Sequence, residues 1–321
     1  MIIGKGYEDR FLSEAEVQEV FERGLAQIAL RGKRVLVIIP DATRSAPMPL
    51  CFRLFSELLA HRAARLDFMV ALGTHMAMDQ ERLNRHLGTT AEERSRKYAG
   101  IGLYNHDYRH GLARIGTISA AEIRELSGGL MDEDVPVEIN QRIYEYDHLI
   151  ICGPVFPHEV MGFSGGNKYF FPGISGAAMI DVTHWLAALI TNRKTIGKQN
   201  TPTRQMIDQA ASMIDLPKSC FSMVVVGHHD VAGLYFGTPE ESQAAAAKLS
   251  ALVNITYVDR RYQTVLSVMP ELYDDLWTAS KGMYKVEDVV ADGGRVIICA
   301  PHIDEVAYTH GKVLDRIGYH V

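Results

Sequence analysis

Residues 13–41 read SEAEVQEVFERGLAQIALRGKRVLVIIPD, and this stretch decides the class of fold. Ser13 followed by Glu16 is a capping-box pair, and Val17, Val20, Phe21, Leu25 and Ile28 recur at the spacing of one helical face. The pattern predicts a helix from Ser13 to the Arg31-Gly32 step, where the glycine can take the left-handed turn that ends a helix. The segment RVLVIIP that follows is apolar without alternation and rich in β-branched residues, as a strand covered on both faces must be, and Pro40 stops it. Such a strand calls for parallel neighbours and for helices on either side.

The same alternation runs outward from this unit. Residues 50–59 and 79–87 have helical periodicity, while 66–72, 148–152, 223–226 and 296–299 read as strands. The expected fold class is α/β: a mostly parallel sheet with flanking helices, plus a second, smaller α/β domain. The boundary is expected near 255–272, where TYVDRRYQTVLSVMPELYDD changes character after a helix carrying Leu249 and Leu252. The closing segment YTHGKVLDRIGYHV breaks off within a periodic helical stretch without a stop signal, so a truncated version of a longer protein is expected.

With 321 residues, of which 47% are hydrophobic, there is apolar material for one large domain or two ordinary ones. The net charge of -6 gives no electrostatic footprint for nucleic acid or an anionic membrane, so neither is expected as a partner. The N-terminal MIIGKGYEDRFLSE has no basic-then-apolar leader pattern, and no run approaches the roughly 20 apolar residues of a bilayer span. A cytoplasmic protein is therefore expected. Cys51, Cys152, Cys220 and Cys299 are widely spaced and read as buried free thiols, not as a disulfide framework or a zinc site. Oligomeric state has no signature in the sequence.

In open α/β sheets ligands bind beyond the carboxyl ends of strands, and three loops there carry polar residues. DATRSAP holds Asp41, Thr43 and Arg44; GTH ends at His75; and VFPHEVMGFSGGNKYFFPGISG holds His158, Ser164, Gly165, Gly166 and Lys168. The run GFSGGNK has backbone N–H groups that could approach a phosphate beside a lysine, but it is neither a Walker A loop nor GxGxxG. His184 falls in a helical pattern, where a neutral imidazole could ligate a metal. Taken singly, each has a blander reading. His75 and His158 read as hydrogen-bonded loop histidines, Lys168 as a solvated or phosphate-pairing lysine, Arg44 as half of a surface ion pair and His184 as a satisfied, partly buried helix residue. His61, His86, His106, His110, His148 and His302 keep that bland reading.

The joint arrangement changes this. PHEVMGFSGGNKYFFPGISG followed by His184 resembles the pattern of the nickel-dependent lactate racemase family, and DATRSAP and GTH match that family's upstream motifs in order, a resemblance running from about Asp41 to Pro301. It implies a racemase or epimerase of a small 2-hydroxy acid that works by reversible hydride transfer to a nickel-pincer nucleotide. Lys168 would carry that cofactor covalently and His184 would be the nickel ligand; Asp41, Thr43, Ser164, Gly165 and Gly166 would contact the nucleotide. His75 and His158 would be the acid/base pair, Arg44 the clamp for the substrate carboxylate, and Lys281 and Trp277 further substrate contacts. Residues 1–260 would form the cofactor-binding domain with the catalytic histidines, and 261–321 the start of a substrate-side domain. Proteins that synthesise the cofactor would be partners.

The chain departs from the family's pattern at Ala42, Ser45, Met76 and Trp277, which puts lactate itself in doubt and leaves a larger 2-hydroxy acid or a sugar acid open. Two other classes stay open: a non-catalytic carrier of the nucleotide or metallocofactor, and a metal-dependent hydrolase built on His228, His229 and Asp230.

Overall fold

The structure, a computed structural model, describes residues 2–309 and 311–318. The capping box forms as read: Glu16 N–H donates to Ser13 Oγ at 3.2 Å and Ser13 N–H donates to the Glu16 carboxylate at 3.0 Å. The helix they open, Glu14–Leu25, ends well short of Gly32. The reason is packing. Leu25 and Leu30 are both fully buried, and a continued helix would turn Leu30 about 140° away from Leu25. The chain leaves helical geometry to bring both inside.

The strands in chain order are β1 (Ile3–Gly6), β2 (Arg34–Ile39), β3 (Arg65–Val70), β4 (Leu103–Asn105), β5 (Leu112–Ile118), β6 (Val135–Asn140), β7 (His148–Pro154), β8 (Pro157–His158), β9 (Gly162–Phe163), β10 (Lys218–Val226), β11 (Asp230–Gly237), β12 (Tyr262–Val268) and β13 (Val290–Cys299). Seven of them form the main sheet in the order β1-β11-β10-β7-β2-β3-β4. From β10 to β4 all pairings are parallel, and β11 and β1 close one edge in antiparallel fashion. The sheet is thus mixed but mostly parallel, with helices on both faces.

The unalternated apolar run of β2 has its explanation in the two cores. Val35, Val37 and Ile39 enter one cluster with Phe21, Phe52, Phe55 and Phe221; Leu36 and Ile38 enter the other with Phe170, Phe171, Met179 and Leu186. Each buried aliphatic side chain stabilises the fold by about 1.5–3 kcal/mol. Cys51, Cys152 and Cys220 are buried, whereas Cys299 is exposed, contrary to the expectation for that thiol.

Residues 296–299 lie in β13, which pairs in parallel with β12 in a separate two-stranded sheet. Asn192 and Arg193 tie this unit to the main body through Tyr284, Glu287 and Asp288. The helix Gly311–Ile317 follows; His310 and residues 319–321, on which the reading of a truncated end partly rests, lie outside the described residues. Among the described residues no helix is long and apolar enough to cross a membrane.

Candidate active site

Because β7, β2 and β3 are parallel neighbours, the loops leaving their carboxyl ends emerge side by side. These are the loops that carry His158 and Lys168, Asp41 and Arg44, and His75. A backbone bond from Gly73 N–H to Gly173 O at 3.0 Å joins the second and third of the sequence motifs directly.

Asp41 is buried and organises one side. Its Oδ2 lies 2.5 Å from His75 Nδ1, and its Oδ1 accepts from the Thr43 backbone N–H at 3.0 Å and from Thr43 Oγ1 at 2.6 Å. Arg44 is placed by Thr43 in turn, its Nη1 donating to Oγ1 at 2.9 Å and to the carbonyl at 3.2 Å. Burial opposes ionisation of Asp41, but the bond and charge of His75, with Arg44 and Thr43, outweigh it and hold the carboxyl well below its ordinary range. An ionised Asp41 accepts a hydrogen bond from His75 Nδ1–H, which leaves the Nε2 side of the ring outside that bond.

His158 sits at the end of the small hairpin β8–β9 and is surrounded differently. Its Nδ1 accepts N–H bonds from Val160 at 3.1 Å and Met161 at 3.4 Å, so the partners assign its proton to Nε2. Burial drives its pKa well below the ordinary histidine value; Glu159 works against this, while Lys168, Lys281 and Arg44 add to it. Glu159 lies with Oε2 at 3.8 Å from His158 Nδ1 and accepts at Oε1 from Lys281 Nζ.

The Lys168 loop is braced from beneath. Phe156 N–H donates to Ser164 Oγ at 2.8 Å, and that hydroxyl donates to Pro154 O at 3.2 Å, so Ser164 closes the loop on itself. Arg204, buried in the helix Pro202–Ser212, donates to the carbonyls of Gly165 at 3.1 Å and of Phe163. Asn167 Nδ2 bridges Asp208 at 2.9 Å and Glu240 at 2.6 Å. Gly165 and Gly166 have positive φ of 81° and 57°, and a Cβ on either would strike Val155 or the backbone and side chain at Pro239 and Gln243. Gly153 in β7 permits another close approach: a Cβ there would lie 1.9 Å from Tyr169 Oη. Burial, with the charges of Arg44 and Lys281, lowers the Lys168 pKa to about 7.

His184 lies in the helix Ala177–Ile190. Its Nδ1 is 2.6 Å from Ile180 O, which fixes the tautomer and leaves Nε2 unprotonated. Removal of water by its surroundings lowers its pKa, opposed by the Ile180 bond and aided by Lys168 and Lys281. A neutral imidazole anchored through Nδ1 is the form that ligates metals.

The structure therefore brings together Asp41, Thr43, Arg44, His75, His158, Gly165, Gly166, Lys168, His184 and Lys281. Trp277 is half-exposed on the turn Leu276–Ala279, just before Lys281. The sequence reading missed Glu159, Arg204 and Asn167. His86 is hydrogen-bonded as read, its Nε2 lying 2.9 Å from Pro40 O. His106 and His148 have internal partners, Ser175 O with Asn140 and Ser219 Oγ respectively. His228, His229 and Asp230 are exposed at the turn between β10 and β11, and no cluster of three or more His, Cys, Asp or Glu suited to a metal occurs among the described residues.

Residues 8–197 match the family described as the lactate racemase N-terminal domain. Over 318 residues the chain is 25% identical to a lactate racemase of Thermoanaerobacterium thermosaccharolyticum, covering 95% of this chain and 67% of that protein. It is 24% identical over 278 residues to a lactate racemase of Lactiplantibacillus plantarum, covering 84% and 61%. A crystal structure of a Thermotoga maritima protein is similar with a TM-score of 0.86 and 31% identity over 98% of this chain and 78% of that one. The lactate racemase apoprotein of T. thermosaccharolyticum shares the fold, with a TM-score of 0.72 at 23% identity over 90% of this chain and 67% of that one. The chain thus spans about two thirds of the length of the curated relatives it matches.

Proposed function

The chain belongs to the lactate racemase family, and from that premise we propose that it inverts the α-carbon of a 2-hydroxy acid with a nickel-pincer nucleotide held by Lys168 and His184. The observation that carries the reading is the convergence, on loops leaving the adjacent ends of β7, β2 and β3, of Lys168, His158 and His75, with a His184 whose Nε2 is left free by its Nδ1 bond and which feels the charge of Lys168. The donor set fits the group. A neutral lysine amine suits covalent attachment, an Nδ1-anchored imidazole suits nickel, and the unpartnered, buried Asn167 Oδ1 beside Lys168 leaves an acceptor on the loop. When bound, the group supplies reversible hydride acceptance, which takes the α-carbon to the carbonyl level and back.

The chain's own residues supply the rest. Arg44, held by Thr43, offers its guanidinium to the substrate carboxylate and fixes the pivot about which the keto group turns. His75 takes the hydroxyl proton at Nε2, and Asp41 stabilises the imidazolium that forms. His158 presents an N–H on Nε2 from the buried hairpin and polarises the oxygen from its own side. Inversion needs the two imidazoles to exchange duties, because each hand of the substrate carries its hydroxyl on a different side. Supply of the cofactor by synthesis proteins, in the cytoplasm, is part of the same reading, as is a substrate-side role for residues 261–321.

The test is intact mass and nickel analysis of protein co-expressed with a pincer-synthesis system, wild type against Lys168→Ala, followed by chiral assay of 2-hydroxy acids. A nickel-bearing adduct only in wild type, with inversion of at least one acid, is the expected result. An unmodified, nickel-free wild type beside a loaded control overturns the reading.

A further inference from the structure

The two histidines are not equivalent as they stand. His75 has a carboxylate on its Nδ1; His158 has two backbone amides there, and a histidine so held cannot accept a proton at Nε2 without first releasing the one it carries. A two-histidine inversion, on which this inference rests, requires His158 to become a base in one direction. Something must move its proton from Nε2 to Nδ1 and receive it there.

Glu159 is the group in place. Its side chain is 14% exposed, and its Oε2 lies 3.8 Å from His158 Nδ1, a little beyond hydrogen-bond reach. Its other oxygen is held by Lys281, which arrives from the turn Lys281–Tyr284 far along the chain and is itself 19% exposed. The charged groups facing His158 are Glu159, Lys168, Lys281 and Arg44, and Glu159 is the one anion among them. While Lys281 holds Glu159, its positive charge also disfavours an imidazolium at His158.

We infer that Lys281, Glu159 and His158 form a relay in which substrate, on engaging the Lys281 ammonium, frees Glu159 to accept from His158 Nδ1 and so turns His158 from donor into base. Glu159 is then a positioning residue, the counterpart of Asp41 on the other histidine. Its delayed engagement makes the second base available only with substrate in the site. The proton balance is closed with solvent: the Nε2 proton leaves to the substrate oxygen or to water, Nδ1 takes one up from water as its bonds from the Val160 and Met161 amides give way, and Glu159 stays ionised as the acceptor of the new Nδ1–H.

Two experiments test it. The first needs no cofactor. In the apoprotein Lys281→Met leaves Glu159 without its ammonium, and 15N-detected titration of His158 should show the Nδ1–H tautomer and a pKa raised by at least one unit over wild type. An unchanged tautomer and pKa overturn the relay whatever the fate of the proposed function. The second uses loaded enzyme. Glu159→Gln should lower kcat about 10²-fold, the lower end of what one positioned acid–base group supplies, with KM nearly constant and the kcat pH profile altered on its acid limb. Glu159→Asp should restore part of the loss. A kcat within twofold of wild type with an unchanged profile, or a loss that Asp does not relieve, overturns it.

Discussion

The site has two halves built on different principles. On the His75 side the parts hold one another by side-chain bonds: Asp41 on His75, Thr43 on Asp41, Arg44 on Thr43, with His75 about a third exposed. On the Lys168 side the loop backbone is gripped: the buried Arg204 of a helix distant in sequence holds two of its carbonyls, Ser164 closes the loop on itself, and Asn167 is pinned to Asp208 and Glu240. The first arrangement chiefly tunes proton affinity. The second fixes where an amine stands, and the fold depends on it. Changes at His75 should therefore alter turnover with little effect on stability, changes at Asp41 and Thr43 should add a modest stability loss to it, and changes in the second half should alter stability and loading together.

The largest effect that would break this division comes from His75→Ala. It should lower kcat by about 10²–10⁴-fold while the melting temperature and the mass of the lysine adduct stay as in wild type; a large fall in melting temperature would make His75 part of the scaffold. Asp41→Asn comes next, with about a 10–100-fold loss of kcat, by analogy with the loss of partners that orient a functional imidazole. Its effect on stability has a definite sign. The folded carboxyl ionises below its ordinary range, so its contribution is complete above about pH 4 and is lost as the pH falls. Denaturation curves of wild type and variant should therefore converge in acid.

On the anchoring half, Arg204→Met leaves the carbonyls of Gly165 and Phe163 without their donor and should cost about 1–3 kcal/mol per orphaned group. Urea denaturation reads this directly, and adduct formation should fall with it. Lys168→Met sharpens the contrast in the other direction. The lysine's folded pKa, about 7, lies below its ordinary value of 10.5, so between those limits the unfolded chain binds the proton that the folded one has released. Wild-type stability therefore rises with pH across that window. The methionine apoprotein should be more stable than wild type at neutral pH, and the gain should fade towards pH 10.5. Smallest of all, Thr43→Val removes the hydroxyl's bond to Asp41 and the one it accepts from Arg44, and should cost about 0.5–1.5 kcal/mol for each.

The same division explains what the sequence made legible. Lys168 and the two catalytic histidines stand in ordered motifs on loops, with His184 following in a helical pattern, and β7, β2 and β3 bring those loops together because each reads as a buried parallel strand. Arg204 sits in TPTRQMIDQAAS, an amphipathic helix in which an arginine looks like a solvated face. Only the packing of that helix under the loop shows otherwise. Glu159 next to His158 was a visible signal, but its meaning depends on Lys281, 122 residues away. β1 and β11, with their glycines, lack the apolar density of the central strands and passed unread. The early end of the first helix was likewise invisible, because it is set by where Leu25 and Leu30 must both be buried.

The contact between Gly153 and Tyr169 has a consequence for descent. The ring of Tyr169, next to Lys168 in sequence, fills the space that any side chain at 153 would need. A lineage can alter position 153 only after giving up the aromatic ring at 169. In aligned relatives these two positions should change as a pair or not at all, and a relative with alanine at 153 should carry a smaller residue where Tyr169 stands.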